Sequence, residues 1–500
     1  MSISKSTSKI KTLPLIGRKK ELAIFEQILN SSCAEFLAVY GRRRVGKTYL
    51  IEQYFKSRVE IFFHICGLKN GTTKDQINIF RNELEQNLYQ FSLPNLSSWM
   101  EAFKILTKAI EQKIASGFKG KIVLFLDELP WLATPKGGLI SAIDHFWNRH
   151  WSKITTLRLI VCGSAASWML NNLIHAKGGL HNRLTQRIRL EPFTIEETKL
   201  YLQQLKISFS STSLIETYMC LGGIPYYLRQ LQRGKSMAQN IGNLCFSSDG
   251  ILTSEFKDLF RSLFDESENH IKIIRVLANK PNGLSRHQIL SELKIKSGGR
   301  ISKYLSELEE AGFIANFIPY GKKKKDSYFR IIDEYCLFYL HWIENAPKGI
   351  MAKDNGESYW AQIIGTPTYY NWAGLAFEVF CLKHISHIQK SLALEKVFIK
   401  YSSWRCGCKV KDLTKSGVQI DILLDRNDNA ISLCEIKYSQ KPYILDKKTA
   451  LEWHKKIDTF KEFTKTHKEI FFVLVTFNGV KKNIWTEDLI SNEVRFIEMI

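Results

Sequence analysis

Residues 41–48 read Gly-Arg-Arg-Arg-Val-Gly-Lys-Thr, so Gly41, Gly46, Lys47 and Thr48 fill every fixed position of the pattern G-x-x-x-x-G-K-[ST]. That spacing suits phosphate chemistry. The two glycines let the backbone turn until its N–H groups point at phosphate oxygens at the start of a helix. Lys47 would then reach the β and γ phosphates of a nucleoside triphosphate, and the Thr48 hydroxyl would hold Mg²⁺. Arg42, Arg43, Arg44 and Val45 complete the loop. The three arginines add positive charge beside the phosphates, although a solvated turn would carry them equally well.

Asp127 and Glu128 follow five apolar residues, Ile122 to Leu126. Two carboxylates at the end of a buried strand suit the other half of the same chemistry. Asp127 would hold Mg²⁺ through water, and Glu128 would orient or deprotonate the attacking water. Alone, the pair also fits a solvated acidic turn; the loop upstream favours the catalytic reading. Ser164 closes the run "LRLIVCG", where a sensor of the γ phosphate would sit. Arg183 lies close in sequence to Arg187 and Arg189. One of them would stabilise transition-state charge from this chain or a neighbouring subunit, or the three form a basic face against the sheet.

A separate constellation lies near the C-terminus. Glu378 stands among apolar residues in "NWAGLAFEVFCLKH", Asp421 in "VQIDILLD", and Glu435 and Lys437 in "AISLCEIKYS". Strand alternation puts Glu435 and Lys437 on one face, and a hairpin through "RNDN" would bring Asp421 beside Glu435. Such an acid pair would chelate Mg²⁺ or Mn²⁺, with Lys437 positioning a water nucleophile. A salt-bridged exposed hairpin is the plainer account.

These residues need rigid elements behind them. Phe36–Tyr40 reads as a buried strand and Lys47–Phe55 as the helix after the loop. An apolar run from Val59 to Cys66, helical stretches at about 74–89 and 99–114, and the strands ending at Leu126 and Gly163 continue an alternating pattern. The fold expected is α/β with a doubly wound parallel sheet. Helices follow from about Ile195 to Cys220, and "LGGIPYYL" breaks them.

Between about Asn269 and Asp333, three short amphipathic helices precede two strand-like runs joined by Gly321 and Lys322–Lys325, a winged-helix pattern. In a DNA-binding version Arg300, Ser302 and Lys303 would enter the major groove and the lysine run would touch phosphates. Contact between domains would use the same module without nucleic acid.

The chain has 500 residues, 45% hydrophobic and 24% charged, with a net charge of +22. That is an ordinary globular composition with enough apolar residues for several cores. The charge favours a polyanionic partner such as nucleic acid, though alone it means only non-specific attraction; DNA is expected ahead of RNA. No apolar run approaches the roughly 20 residues of a membrane span, and Met1–Thr12 lacks a signal-peptide core, so a cytoplasmic protein without membrane attachment is expected. The ten cysteines, Cys406 and Cys408 being the nearest pair, read as reduced thiols.

The segments "GRRRVGKT", "FLDELPWLA", "VCGSAASWM", "NRLTQRIRLEPF" and "GGIPYYL", in that order, resemble the archaeal-type ATPase family, P-loop ATPases of the broad AAA and STAND group. The resemblance implies ATP binding and hydrolysis with a helical lid. Glu378, Asp421, Glu435 and Lys437 resemble the four positions of the PD-(D/E)xK nuclease superfamily, a restriction-endonuclease-like α/β domain that this ATPase family often carries. The expected modules are an ATPase core at 14–195, a lid at 196–267, a winged helix with a docking helix at 268–345, a linker at 346–365 and a nuclease-like domain at 366–500. The function expected is an ATPase whose nucleotide cycle controls metal-dependent cleavage of nucleic acid. A non-cleaving switch or scaffold, and a DNA-binding regulator with structural ATP, stay open. A homo-oligomer is compatible with each.

Overall fold

The structure is a computed structural model that describes residues 14–89, 91–174, 182–296, 299–347, 349–350, 356–406 and 417–500. Met1–Thr12, Gly298, Cys408 and part of the polar stretch 346–355 lie outside them. The chain divides into two compact units, Met1–Pro192 with Leu200–Lys206, and Phe193–Lys199 with Ile207–Ile500.

The first unit is built on a parallel sheet of β1 (Glu35–Tyr40), β2 (Ile61–Cys66), β3 (Ile122–Asp127), β4 (Leu157–Gly163) and β5 (Gln186–Arg189), in the order β2-β3-β4-β1-β5. β3 and β4 are buried at every residue, as strands covered on both faces must be, and this is why they read as unbroken apolar runs. β5 is the strand the sequence does not announce: only Ile188 of its four residues is buried, so it lacks an apolar run.

The helices around the sheet begin where their caps dictate. Thr72 and Asp75 form a reciprocal cap for Thr73–Leu84, and the Ser98 side chain caps Trp99–Ala115. The second of these helices buries Ala102, Phe103, Leu106 and Ile110 at helical spacing. Phe103 packs against Phe80, Phe146 and Trp151, and the buried Trp151 indole donates to Thr107 Oγ1 at 2.8 Å.

Arg158, inside β4, is fully buried. Its guanidinium donates to the carbonyls of Ile28, Leu29 and Ser31 at the end of helix Lys19–Asn30, and to those of Cys33 and Thr155. A cation placed on the unsatisfied carbonyls of a helix C-terminus offsets the cost of its burial.

In the second unit, helices Ser211–Leu221, Met237–Phe246 and Ile251–Leu263 come first. Helices Ser267–Ala278, Arg286–Glu292 and Gly299–Glu310 follow, with an antiparallel sheet of β6 (Leu284–Ser285), β7 (Ile314–Phe317) and β8 (Tyr328–Ile331) in the order β6-β8-β7. The C-terminal sheet holds β9 (Ile399–Cys406), β10 (Val418–Arg426), β11 (Ala430–Lys437), β12 (Glu469–Thr476) and β13 (Asn492–Arg495). Its order is β13-β12-β11-β10-β9, and it is mixed: β9, β10 and β11 run antiparallel, whereas β11, β12 and β13 are parallel. Helix Lys447–Thr464 buries Ala450, Trp453 and Phe460 against Leu423, Ile431 and Leu433 of this sheet.

The expected linker at 346–365 needs correction. Gly356–Ile363 is a helix, and Trp360 within it is wholly buried, stacked on Phe246 at 5.6 Å and edge-on to Trp342 and Trp372. The polar composition of the residues before it hides the aromatic pair Tyr359–Trp360, which carries the burial. Among the described residues no helix is long and apolar enough to cross a membrane.

Candidate functional site

The loop at 41–46 leaves β1 at its C-terminal edge. Gly41 has φ 144°, and a Cβ there would stand 2.4 Å from the Leu190 carbonyl oxygen, so the chain passes where no side chain fits. Gly46 has φ 89° and caps helix Lys47–Phe55. Its neighbour Val45 is held by the Arg18 guanidinium, which donates to the Val45 carbonyl at 3.3 Å and to that of Glu191 at 2.6 Å.

Lys47, Thr48, Asp127, Glu128 and Ser164 meet at this edge. Buried Lys47 Nζ donates to Gly41 O and Arg42 O, each at 3.1 Å, and to Ser164 Oγ at 3.0 Å. Thr48 Oγ1 donates to Asp127 Oδ2 at 2.7 Å, and Asp127 Oδ1 accepts the Glu128 N–H at 2.9 Å. Glu128 accepts twice from Ser164, from the hydroxyl at 2.6 Å and the N–H at 3.1 Å. Three different strand ends supply these groups, as an open α/β sheet does at its ligand-binding edge.

Burial favours protonated Asp127, but the His64 imidazole, the Thr48 hydroxyl and the Cys162 thiol that face it hold its pKa below the ordinary value. Burial, with the charges of Asp127, Glu128 and Glu52, pushes the Cys66 thiol up to about 12. The edge is therefore a concentration of negative charge beside a buried lysine. A hydroxyl and a carboxylate 2.7 Å apart are hard oxygen ligands, and with Lys47 and the helix N-terminus they fit ATP with Mg²⁺.

His64 was not singled out from the sequence, where it is one residue of an apolar strand. Its Nδ1 lies 3.3 Å from Glu52 Oε1, and its Nε2 lies 3.8 Å from Asp127 Oδ2. The arginines are disposed differently. Arg43 sits 5.9 Å over the Trp131 ring. Arg183 is exposed in the turn before β5, Arg187 and Arg189 are exposed on that strand, and Arg189 pairs with Glu191 at 2.8 Å. None of the hydrogen bonds described in the Lys47 cluster involves Arg183.

In the second unit, the antiparallel register that pairs Ile422 with Cys434 sets Asp421 opposite Glu435. The pairing of β10 with β9 slips between Ile420 and Leu423, an irregularity that spans Asp421 and Ile422, of the kind that re-aims a side chain. Asp421 Oδ2 accepts the Ile436 N–H at 3.0 Å. Glu435 is 4% exposed, and two lysines hold it: Lys437 Nζ at 3.0 Å, and Lys456 Nζ at 2.9 and 3.0 Å from its two oxygens.

Burial, then repulsion from Glu435 and Glu378, drives the Asp421 carboxyl well above the usual range. Burial raises Glu378 too, with Arg330 opposing and Glu435 adding. For Lys437, burial works downward but Glu435 and Asp421 win, and its pKa rises. Arg330, on β8, is pushed down to about 10 by burial while Glu378 and Asp421 pull it back. Thus Glu378, Asp421, Glu435 and Lys437 come together, with Lys456 and Arg330, which sequence reasoning did not reach. Among the described residues, no three His, Cys, Asp or Glu side chains form a group that could hold a metal ion. Carboxylate oxygens are the donor type that hard divalent cations take.

Arg300, Ser302 and Lys303 are exposed on helix Gly299–Glu310, and Lys322–Lys325 are exposed between β7 and β8. The segment between those strands, and β8 itself, are tied to β9: the Tyr320 N–H donates to Ser403 O at 2.8 Å, and the Arg405 guanidinium lies 4.3 Å over the ring of Tyr328 at the start of β8.

Residues 15–231 match the model of an ATPase domain family found predominantly in Archaea. A protein of Methanocaldococcus jannaschii, itself uncharacterized, is 24% identical over 427 residues, which cover 85% of this chain and 87% of that protein. An uncharacterized ATP-binding protein of the same organism is 42% identical over 43 residues, 9% of this chain and 73% of that one. Among solved structures, a Walker-type ATPase of Pyrococcus abyssi aligns with 66% of this chain and 96% of its own, at 17% identity and a TM-score of 0.48. The similarity over residues 15–231, with the geometry around Lys47, supports an ATP-binding ATPase.

Proposed function

We propose that this ATPase couples its nucleotide cycle to a metal-dependent nuclease-like site acting on nucleic acid, DNA ahead of RNA. In the first unit the loop 41–46 and Lys47 bind the phosphates, Thr48 and Asp127 hold Mg²⁺, Glu128 orients the attacking water, and Ser164 meets the γ phosphate. An arginine such as Arg183 acts on the transition state from this chain or from a second copy. In the second unit Asp421 and Glu435 hold the divalent cation with Glu378 beside them, and Lys437 positions water. A bound divalent ion would supply charge for a scissile phosphate and a more acidic water.

The observation that carries the nuclease-like reading is the meeting of three acids and Lys437 in a buried place where the Glu435 charge helps to raise both Asp421 and Glu378. The helices between 267 and 310 with the β6-β8-β7 sheet suit a winged helix, and exposed Arg300, Lys303 and Lys322–Lys325 suit phosphate contact.

A second reading is a switch that binds nucleic acid or protein without cutting. It is favoured by Glu435, both of whose oxygens are taken by lysine. Incubating plasmid and single-stranded DNA with the protein, Mg²⁺ or Mn²⁺, and ATP or none, beside Asp421→Ala, separates the two. Cutting that disappears in the variant is the expected result; cutting that persists would sink the site assignment, and none from the natural protein would leave the switch.

A further inference from the structure

Glu216 is a carboxylate only 4% exposed, and neither site described above uses it. It lies on helix Ser211–Leu221, which is buried from Leu214 to Leu221 and falls within the stretch 15–231 that is similar to the ATPase family. Its Oε1 accepts two hydrogen bonds, from the Tyr438 hydroxyl and from the Gln440 side-chain amide, each at 2.7 Å. A charge buried this deeply depends on its donors, so the carboxylate and the segment after β11 hold each other in place.

Tyr438 directly follows Lys437, the last residue of β11. Alternation turns the two side chains to opposite faces. Lys437 lies 5.7 Å from the centre of the Trp453 ring and bonds to Glu435, whereas the Tyr438 ring packs on Phe477 at 4.8 Å and on Phe377 at 5.8 Å. Phe377 is the residue before Glu378 on helix Pro367–Lys383. Two residues beyond Glu216, Tyr218 stands edge-on to Phe380 of that helix at 5.5 Å and to His384 at its end at 5.1 Å. Helix Ser211–Leu221 therefore touches both elements that carry Lys437 and Glu378. Its ring contacts tolerate sliding; its hydrogen bonds fix a distance and a direction.

We propose that Glu216 is a positioning residue for Lys437, and that its bonds to Tyr438 and Gln440 are the link by which a change in the ATPase-like stretch reaches the nuclease-like site. The inference rests on the proposed coupling of the nucleotide cycle to that site and names where the coupling passes. A shift of helix Ser211–Leu221 pulls Tyr438, and with it the backbone that carries the Lys437 ammonium.

The test is hydrogen exchange of the full chain with and without ATP and Mg²⁺, which reads residues 211–221 and 436–442 without any cleavage. In the natural protein ATP should alter exchange in both segments. Tyr438→Phe keeps its ring between Phe377 and Phe477 but loses the hydroxyl, and Glu216→Leu loses the acceptor. In both, the change at 211–221 should remain and that at 436–442 should shrink severalfold. Glu216→Gln keeps a carbonyl oxygen with two lone pairs and should retain most of the linked change. A linked change that survives both Tyr438→Phe and Glu216→Leu overturns the proposal while leaving the coupling intact. If Glu216→Leu does not fold, Tyr438→Phe decides alone. No ATP-dependent change at 436–442 in the natural protein removes the coupling itself, and the inference with it. Plasmid cutting by Tyr438→Phe should fall about tenfold in kcat at nearly unchanged KM, and an undiminished kcat would overturn the positioning of Lys437. A natural protein that shows the linked change and does not cut keeps the link and removes only the nuclease-like reading.

Discussion

Glu128 and Ser164 hold each other through two hydrogen bonds, the serine hydroxyl and N–H both donating to the carboxylate, at 2.6 and 3.1 Å. Glu128 makes this contact from a left-handed backbone conformation, φ 46°, which a side chain adopts only when its surroundings enforce it. The same Ser164 hydroxyl accepts from Lys47 Nζ. The group proposed to activate water and the group proposed to bind phosphate therefore share one serine.

Glu128→Gln should leave ATP binding within a few fold and reduce turnover by about 10²–10⁴, the usual worth of a positioned general base. Ser164→Ala should bind ATP similarly and lose about 10-fold or more in turnover, because the carboxylate is no longer held. Phosphate release under saturating ATP measures both. Unchanged turnover in the glutamine variant would remove Glu128 from the chemistry.

Gly41→Ala tests how the loop is built. An alanine at φ 144° is strained and its Cβ would meet the Leu190 carbonyl, whose own N–H donates to Tyr40 O across the β1–β5 pairing. Relief requires the loop to move away from β5. The expected loss is about 1–3 kcal/mol in unfolding free energy, with weaker ATP binding. Denaturant unfolding beside nucleotide titration checks both; a fully stable variant would show that the loop has room the geometry denies.

Lys456 bears on the second site. It grips both oxygens of Glu435 and is 24% exposed, whereas the Glu435 side chain is 5% exposed. Lys456→Met keeps most of the stem and removes the charge. The variant should lose about 1–3 kcal/mol of stability, moderated because Lys437 still pairs with Glu435. If Glu435 is a metal ligand, the ammonium competes with the cation, and the same variant should bind Mn²⁺ more tightly by calorimetry. Unchanged Mn²⁺ affinity would argue that Glu435 serves only the ion pair.

Much of the first unit could be read before its shape was known, because a parallel sheet writes its strands as apolar runs and a phosphate loop has fixed spacing. Asp127 and Glu128 were legible for the same reason: charge at the end of such a run stands out. His64 did not stand out, since a histidine within "IFFHIC" has no local sign of the Glu52 and Asp127 it meets. Lys456 is one lysine of an amphipathic helix rich in them, and only the packing of that helix on β10 and β11 brings it to Glu435. Arg330 lies 48 residues before Glu378 in sequence, so its place near the acids depends wholly on tertiary structure. The helix Gly356–Ile363 was missed because composition averaged over a window conceals one buried tryptophan.

His384 makes the second unit acid-sensitive. The ring is buried: its Nδ1–H donates to Phe380 O at 2.8 Å, and its Nε2 accepts the Ile195 N–H at 3.1 Å. Burial pushes its pKa from 6.5 down to about 4, against the pull of the Phe380 bond. A folded value below the unfolded one means that the unfolded chain takes up the proton first. Stability contributed by neutral His384 is therefore complete above about pH 6.5 and drains away as pH falls toward 4, by at most ~3 kcal/mol. Protonation would also set a new N–H against the Ile195 N–H, so the amide of Ile195 should exchange faster at pH 5 than intrinsic rates predict. Comparing unfolding midpoints at pH 7.5 and 5 with those of His384→Gln isolates this residue from the carboxylates that titrate nearby. The variant should start lower and lose less on acidification; an equal loss in both proteins would place the acid sensitivity elsewhere.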